Sequence, residues 1–266
     1  MRHAPVRSAP SRFDQLSDLA LFRPFMTELA HSDRNIRMQR LVLFDIDGTI
    51  LDAGGTAAKA FLAALLEVFG TRPSRNGYSF GGKTDPQIAR DLLSRAGIEE
   101  EAIERGLPRV WDSYLTRLER ECLPDQVSVY PGVAGLLDHL HDEPGAVLGL
   151  LTGNLREGAR LKLAAARVDF DRFVAGAYGS DHHDRRNLPV IAIDRAESRV
   201  GKRFEGKEIV IVGDTPFDIS CGEHLGVRTI AVATGSYGAA ELAACKPDYL
   251  FDSLERTDEV LEAIFG

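Results

Sequence analysis

Short apolar runs recur along this chain, and three of them empty abruptly into polar turns. Leu41-Val42-Leu43-Phe44 runs into Asp45-Ile46-Asp47-Gly48-Thr49. Ala146 to Leu151 leads into Thr152-Gly153-Asn154, and Ile209-Val210-Ile211-Val212 into Gly213-Asp214. Uninterrupted runs of this length suit strands buried on both faces of a parallel sheet. Shorter strands are expected at Phe173 to Ala177, Val227 to Ala233 and Tyr249-Leu250-Phe251. Between the strands, Val133 to His139, Glu157 to Arg167, Val190 to Arg199 and Asp218 to Leu225 carry helical spacing, and a helix closes the chain. Strands alternating with helices predict an α/β fold: a doubly wound parallel sheet covered on both faces.

Residues 55–127 depart from that alternation. Gly54-Gly55 breaks the pattern, and Thr56 can cap a helix running to about Phe69. Pro86 to Ala96 is apolar at Ile88, Leu92 and Leu93, with Gly97 as a C-terminal stop. Ala102 to Cys122 places Val110, Trp111, Tyr114, Leu115 and Leu118 at helical intervals, and Pro108 within it marks a helix start or break. The expected organisation is a helical cap at 55–127 inserted into a core formed by 40–54 and 128–266.

The first 39 residues read as a separate extension. Residues 1–40 hold seven Arg and four acids, a balance of +3, which leaves −11 for the remainder of a chain whose formal charge is −8. They lack both the apolar centre of a secretory signal and the acid-poor composition of a transit peptide. Phe13 to Leu29 could form a short amphipathic helix, and Met38 is an alternative start.

Composition narrows the partners. A net charge of −8 argues against a broad nucleic-acid surface, which would be basic. Cys122, Cys221 and Cys245 stand far apart without paired spacing, as expected for reduced thiols of a cytoplasmic protein. No apolar run approaches the roughly 20 residues that span a bilayer. The expected partner is a small metabolite, taken by a monomer or homodimer.

The chemistry concentrates where the strands end. Two carboxylates spaced two apart at a strand end are costly to hold as anions without a cation or shared proton. They suit a reaction in which one Asp attacks and the other handles protons; alternatively they cap the following turn. Asp45-Ile46-Asp47-Gly48-Thr49 resembles the DxDGT signature of the haloacid dehalogenase-like phosphohydrolases. That resemblance covers residues 40–266 and implies a Rossmann-like core with a small cap. It makes Asp45 the nucleophile that forms an aspartyl-phosphate and Asp47 the acid and base. Carbon–halogen-cleaving members lack the second Asp, and P-type ATPases carry Lys where Ile46 stands, so phosphate-monoester hydrolysis is implied.

The remaining motifs fall in the family's order. Thr152 resembles the hydroxyl that holds the transferring phosphate, with Gly153 and Asn154 beside it. Asp214 would join Asp45 and the backbone carbonyl of Asp47 around Mg2+, which suits a site of one or two carboxylates. Asp218 is a helix cap, a metal ligand or an orienting partner for one. The family's third motif is normally a Lys, but no Lys stands between Lys162 and Lys202, which both read as solvated charges. Arg185 and Arg186 are the candidates in its place, and alignment of the following helix favours Arg185; Arg186 would then contact substrate. Adjacent histidines point in different directions, so His182 and His183 read as loop residues rather than metal ligands. The turn Phe80-Gly81-Gly82-Lys83-Thr84-Asp85-Pro86 offers Lys83 and Thr84 to substrate, or else Thr84 or Asp85 simply caps a helix. Similarity to the phosphoglycolate phosphatase-like subgroup makes phosphoglycolate the expected substrate. The alternatives are a sugar-phosphate phosphomutase and a non-catalytic binding module that retains the fold.

Overall fold

The computed structural model describes residues 39–266, which form one compact unit; the expectations for the N-terminal extension, Phe13 to Leu29 and Met38 included, lie outside the described residues. Six parallel strands form the sheet: β1 (Arg40–Phe44), β4 (Ala146–Thr152), β5 (Ala175–Tyr178), β6 (Ile209–Gly213), β7 (Arg228–Val232) and β8 (Tyr249–Phe251). Their order is β5-β4-β1-β6-β7-β8. Side chains alternate across a strand, and the core divides accordingly. Leu41 and Leu43 join Ile209, Ile211 and Leu151 on one face, against Leu188, Ala192 and Ala196 of α6 (Leu188–Val200). Val42 and Phe44 join Leu148, Leu150, Val210 and Val212 on the other, against Val133, Leu136 and Leu140 of α4 (Val133–Asp142).

That order positions the site. The chain winds outward from β1 through β4 to β5, and again from β1 through β6 to β8, so β1 lies at the switch point. Open α/β sheets bind ligands at such a point, beyond the carboxyl ends of the strands. Register aligns the ends, since Phe44 pairs with Leu150 on one side and Val212 on the other. Asp45, Thr152 and Asp214 therefore emerge together.

A two-stranded antiparallel ribbon, β2 (Leu51–Asp52) with β3 (Ser128–Val129), brackets the insertion. Neither short strand carries enough pattern to be read from the sequence. Between them lie α1 (Thr56–Phe69), α2 (Asp85–Arg95) and α3 (Glu100–Glu121). Gly55, in the left-handed region, precedes α1, so Thr56 is its first residue rather than its cap. Helix α3 continues through Pro108, where the sequence predicts a start or break. A proline inside a helix costs about 3 kcal/mol; the buried stripe Ile103, Leu107, Val110, Tyr114 and Leu118 outweighs it. Phe61 of α1 meets the Tyr114 ring edge-on at 5.3 Å between centroids.

The remaining helices are α5 (Arg156–Ala165), α7 (Pro216–Cys221), α8 (Ala239–Ala244) and α9 (Thr257–Phe265). Among the described residues no helix is long and apolar enough to cross a membrane. Cys122, Cys221 and Cys245 are all free thiols.

Candidate active site

Asp45 leaves β1 with its backbone N–H donating to the Val212 carbonyl at 3.0 Å, which ties it to the end of β6. Its carboxylate is buried, 3.3 Å from Nη2 of Arg185. Arg185 is also buried; the same nitrogen donates to the Leu151 carbonyl at 3.2 Å and pairs with Asp218. Its Nε has no hydrogen-bond partner.

Asp214 and Asp218 complete an acidic cluster with Asp45, with carboxylate oxygens of all three within 4.8 Å of one another. Burial pushes the Asp45 carboxyl up to about 6, against the pull of Arg185 and with Asp218 adding to the rise. Burial, followed by the charges of Asp218 and Asp45, pushes Asp214 up to about 8. One arginine does not neutralise three buried carboxylates. A donor set of hard anionic oxygens short of positive charge fits an oxygen-loving divalent cation.

Asp218 is committed elsewhere. Its Oδ2 accepts from Thr215 N at 3.0 Å and Thr215 Oγ1 at 2.7 Å, closing a capping box on α7, while Oδ1 pairs with Arg185. With Oδ1 on Arg185 and Oδ2 on Thr215, Asp218 holds the guanidinium beside Asp45. Asp214 keeps more freedom, accepting from Thr49 Oγ1 at 3.2 Å. Gly48, at φ 87°, makes room for it, because a Cβ there would overlap the Asp214 carboxylate.

Asp47 faces the cavity with its side chain 44% exposed. The expectation that Lys162 is a solvated charge is overturned. Its side chain is 5% exposed, and Nζ lies 2.8 Å and 2.7 Å from the two Asp47 oxygens. Burial disfavours the ammonium, but Asp47 and Asp85 outweigh it and hold the pKa above the ordinary lysine value. A signal was present: Gly158, Ala159, Lys162 and Leu163 form the buried stripe of α5, so helical spacing already placed the lysine inward.

The loop after β4 carries the neutral donors. Thr152 is fully buried, and its Oγ1 accepts from Asn154 Nδ2 at 2.8 Å. Asn154 Nδ2 also donates to Asp47 at 2.7 Å, while its Oδ1 accepts from Lys162 at 2.6 Å. Gly153 sits where a Cβ would overlap the Lys83 carbonyl, which lets the helical insertion approach closely.

The insertion is stitched to this loop. Asp85 N donates to the Gly153 carbonyl at 2.8 Å, and Leu155 N donates to Asp85 Oδ2 at 2.8 Å. Burial pushes Asp85 up to about 6, partly offset by Lys162. Thr84, expected to contact substrate, instead caps α2 by accepting from Gln87 N and donates its hydroxyl to the His183 carbonyl. It is fully buried and outside the cavity lining. Lys83 does line the cavity, held 3.7 Å from the Tyr78 ring centroid and 3.5 Å from Asp91. Arg186 is exposed and paired with Asp184, not directed to the cavity. His182 and His183 stack on each other at 4.7 Å as loop residues.

Asp45, Asp47, Thr152, Gly153, Asn154, Lys162, Arg185 and Asp214 line one cavity of about 460 Å³. Phe61, Phe80, Tyr114 and Ile88 of the insertion form an apolar wall, with Arg75 and Lys83 as its cations. The volume is within the usual range for small-molecule sites.

Comparison with known proteins places this geometry in context. The family described as haloacid dehalogenase-like hydrolase matches residues 42–232. Pyrophosphatase PpaX of Bacillus velezensis is 27% identical over 216 residues, covering 80% of this chain and 92% of the relative. A phosphoglycolate phosphatase of Pseudomonas syringae pv. tomato is 25% identical over 227 residues, covering 83% of this chain and 79% of the relative. Among solved structures, a predicted phosphoglycolate phosphatase from Haemophilus somnus superposes with a TM-score of 0.64 at 22% identity, covering 84% of this chain and 98% of that one. That superposition matches the α/β fold described above.

Proposed function

We infer that this chain, which belongs to the haloacid dehalogenase-like hydrolase family, is a magnesium-dependent phosphatase of a small phosphorylated metabolite that works through an aspartyl-phosphate. One observation carries the inference: three neighbouring strand ends deliver Asp45, Thr152 and Asp214 to one cavity, with Arg185 against Asp45 and Asp47 at the mouth. The carboxylates of Asp45 and Asp214 and the backbone carbonyl of Asp47 would hold Mg2+. When bound, the ion neutralises charge on the carboxylates and on the phosphoryl oxygens.

Asp45 attacks phosphorus as the bond to the leaving oxygen breaks, and Asp47 supplies the proton which that oxygen takes up. Asp47 then accepts a proton from water as the water oxygen attacks phosphorus, breaking the Asp45–phosphorus bond and freeing inorganic phosphate. Thr152 and Arg185 orient the phosphoryl oxygens. Arg185 lines the cavity with its guanidinium 3.3 Å from the Asp45 carboxylate, which supports this role. Phosphoglycolate is the substrate we favour. Lys83 and Arg75 in the cavity wall suit its carboxylate, and the Pseudomonas relative bears that name.

The test is a panel of phosphorylated metabolites, including pyrophosphate, with and without Mg2+, on wild type and Asp45→Asn. Stoichiometric phosphate release by wild type, lost in the variant and without the cation, is the expected result. Full turnover by Asp45→Asn would remove the nucleophile assignment, and an isomerised sugar phosphate without free phosphate would make the enzyme a mutase.

A further inference from the structure

Each of the two aspartates at the end of β1 has its own cation. Arg185, ahead of α6, lies against Asp45, whereas Lys162, from α5, lies against Asp47. Lys162 is buried on the same face of α5 as Ala159 and Leu163, and it lines the cavity. Its ammonium touches both Asp47 oxygens, at 2.8 Å and 2.7 Å, and Asn154 Oδ1 at 2.6 Å. An ammonium has three donors, so these contacts leave none for a substrate.

Asn154 closes the arrangement. Its Nδ2 donates to Asp47 Oδ2 at 2.7 Å and to Thr152 Oγ1 at 2.8 Å. The carboxylate of Asp47 is thereby gripped from one side by two neighbours anchored after β4, although its side chain is 44% exposed to the cavity. An ungripped aspartate so exposed would sample its other staggered rotamers. Proton transfer requires the carboxylate within hydrogen-bond reach of the oxygen it serves. Asn154 also connects Asp47 to Thr152, the residue that would hold the transferring phosphoryl group.

We propose that Lys162, together with Asn154, is a positioning residue that aims the Asp47 carboxylate at the reacting oxygens. It acts through Asp47, not on the substrate. The proposal rests on the phosphatase assignment above and extends it to a residue outside the motifs that carried that assignment.

A double-mutant cycle of Lys162→Met and Asp47→Asn tests it, assayed with 4-nitrophenyl phosphate and Mg2+. The nitrophenolate leaving group needs no proton, so Asp47→Asn keeps the first step; its initial burst of nitrophenolate and the slow steady rate set by unassisted hydrolysis of the aspartyl-phosphate are both read. Lys162→Met should lower kcat roughly 10–100-fold, as loss of an orienting partner does, with KM within about twofold. The double variant should be no slower than Asp47→Asn, because groups that act as one unit are not additive. Losses that multiply in the double variant, an unchanged kcat, or a change confined to KM would each overturn the proposal. If Lys162→Met fails to fold by circular dichroism, Asn154→Ala, which leaves the buried stem intact, replaces it in the same cycle. Wild type and Asp45→Asn are run alongside: inactive wild type or active Asp45→Asn would fault the phosphatase assignment, and only the cycle faults Lys162.

Discussion

Asp85→Asn isolates the energetic cost of joining the helical insertion to the core. Asp85 is buried, accepts the Leu155 N–H and has its carboxyl pushed up to about 6 by burial. The unfolded chain titrates this group near 3.9. Below both values the group is neutral in either state and costs nothing. As pH rises through about 6 the folded protein must hold a buried anion, and stability is lost. A shift of roughly two units corresponds to about 3 kcal/mol. Asparagine keeps an acceptor for Leu155 N and removes the charge. The variant-minus-wild-type difference in Tm should therefore be more favourable to the variant at pH 7.5 than at pH 4.5. About 1 kcal/mol of this is already lost at pH 4.5, which lies above the unfolded value, so roughly 2 kcal/mol separates pH 4.5 from 7.5; at about 2–4 °C per kcal/mol for a domain of this size, the change is roughly 4–8 °C. Thermal unfolding followed by circular dichroism at pH 4.5, 6 and 7.5, in chelator so that cation occupancy is constant, reads it. Other titrating groups are common to both proteins and cancel in the difference. A difference independent of pH, or one that favours wild type more as pH rises, would refute the reasoning.

Two further outcomes follow from the same geometry. Gly153→Ala places a Cβ on the Lys83 carbonyl and should cost about 1–3 kcal/mol by overpacking; activity should fall more than stability in paired kinetics and melts, because the Asp85 N–Gly153 O contact opens. Arg186→Ala removes only an exposed pair with Asp184, within about 1 kcal/mol in stability and with kcat/KM unchanged, whereas Arg185→Met leaves Asp45 and Asp218 without their cation and should abolish turnover; equal effects would reverse the assignment of the two arginines.

Much of the site was legible because it is carried by strand ends. An apolar run followed by Asp, Thr-Gly or Gly-Asp announces both a buried parallel strand and the polar group at its mouth, so Asp45, Thr152 and Asp214 could be placed locally. Pro108 favours a helix start or break locally, but packing of the α3 stripe overrides that preference. By sequence Thr84 suits either substrate or a helix cap; its hydroxyl caps α2 and donates to the His183 carbonyl, 99 residues away. Alignment of the following helix favours Arg185 over its neighbour, and the turn into α6 buries the first and exposes the second.

The sequence by itself determined the α/β alternation, the helical insertion and the acidic strand ends, since these depend on hydrophobic period and on residues adjacent in the chain. Tertiary structure alone decided which charges meet. Lys162 lies 115 residues from Asp47 in sequence yet 2.7 Å from it in space. A lysine's long stem can cross a core or lie on a surface, and only the packing of α5 against α3 and the core that holds Phe44 and Leu150 turns it inward. The pair of aspartates was visible from the outset; the separate cation on each was not.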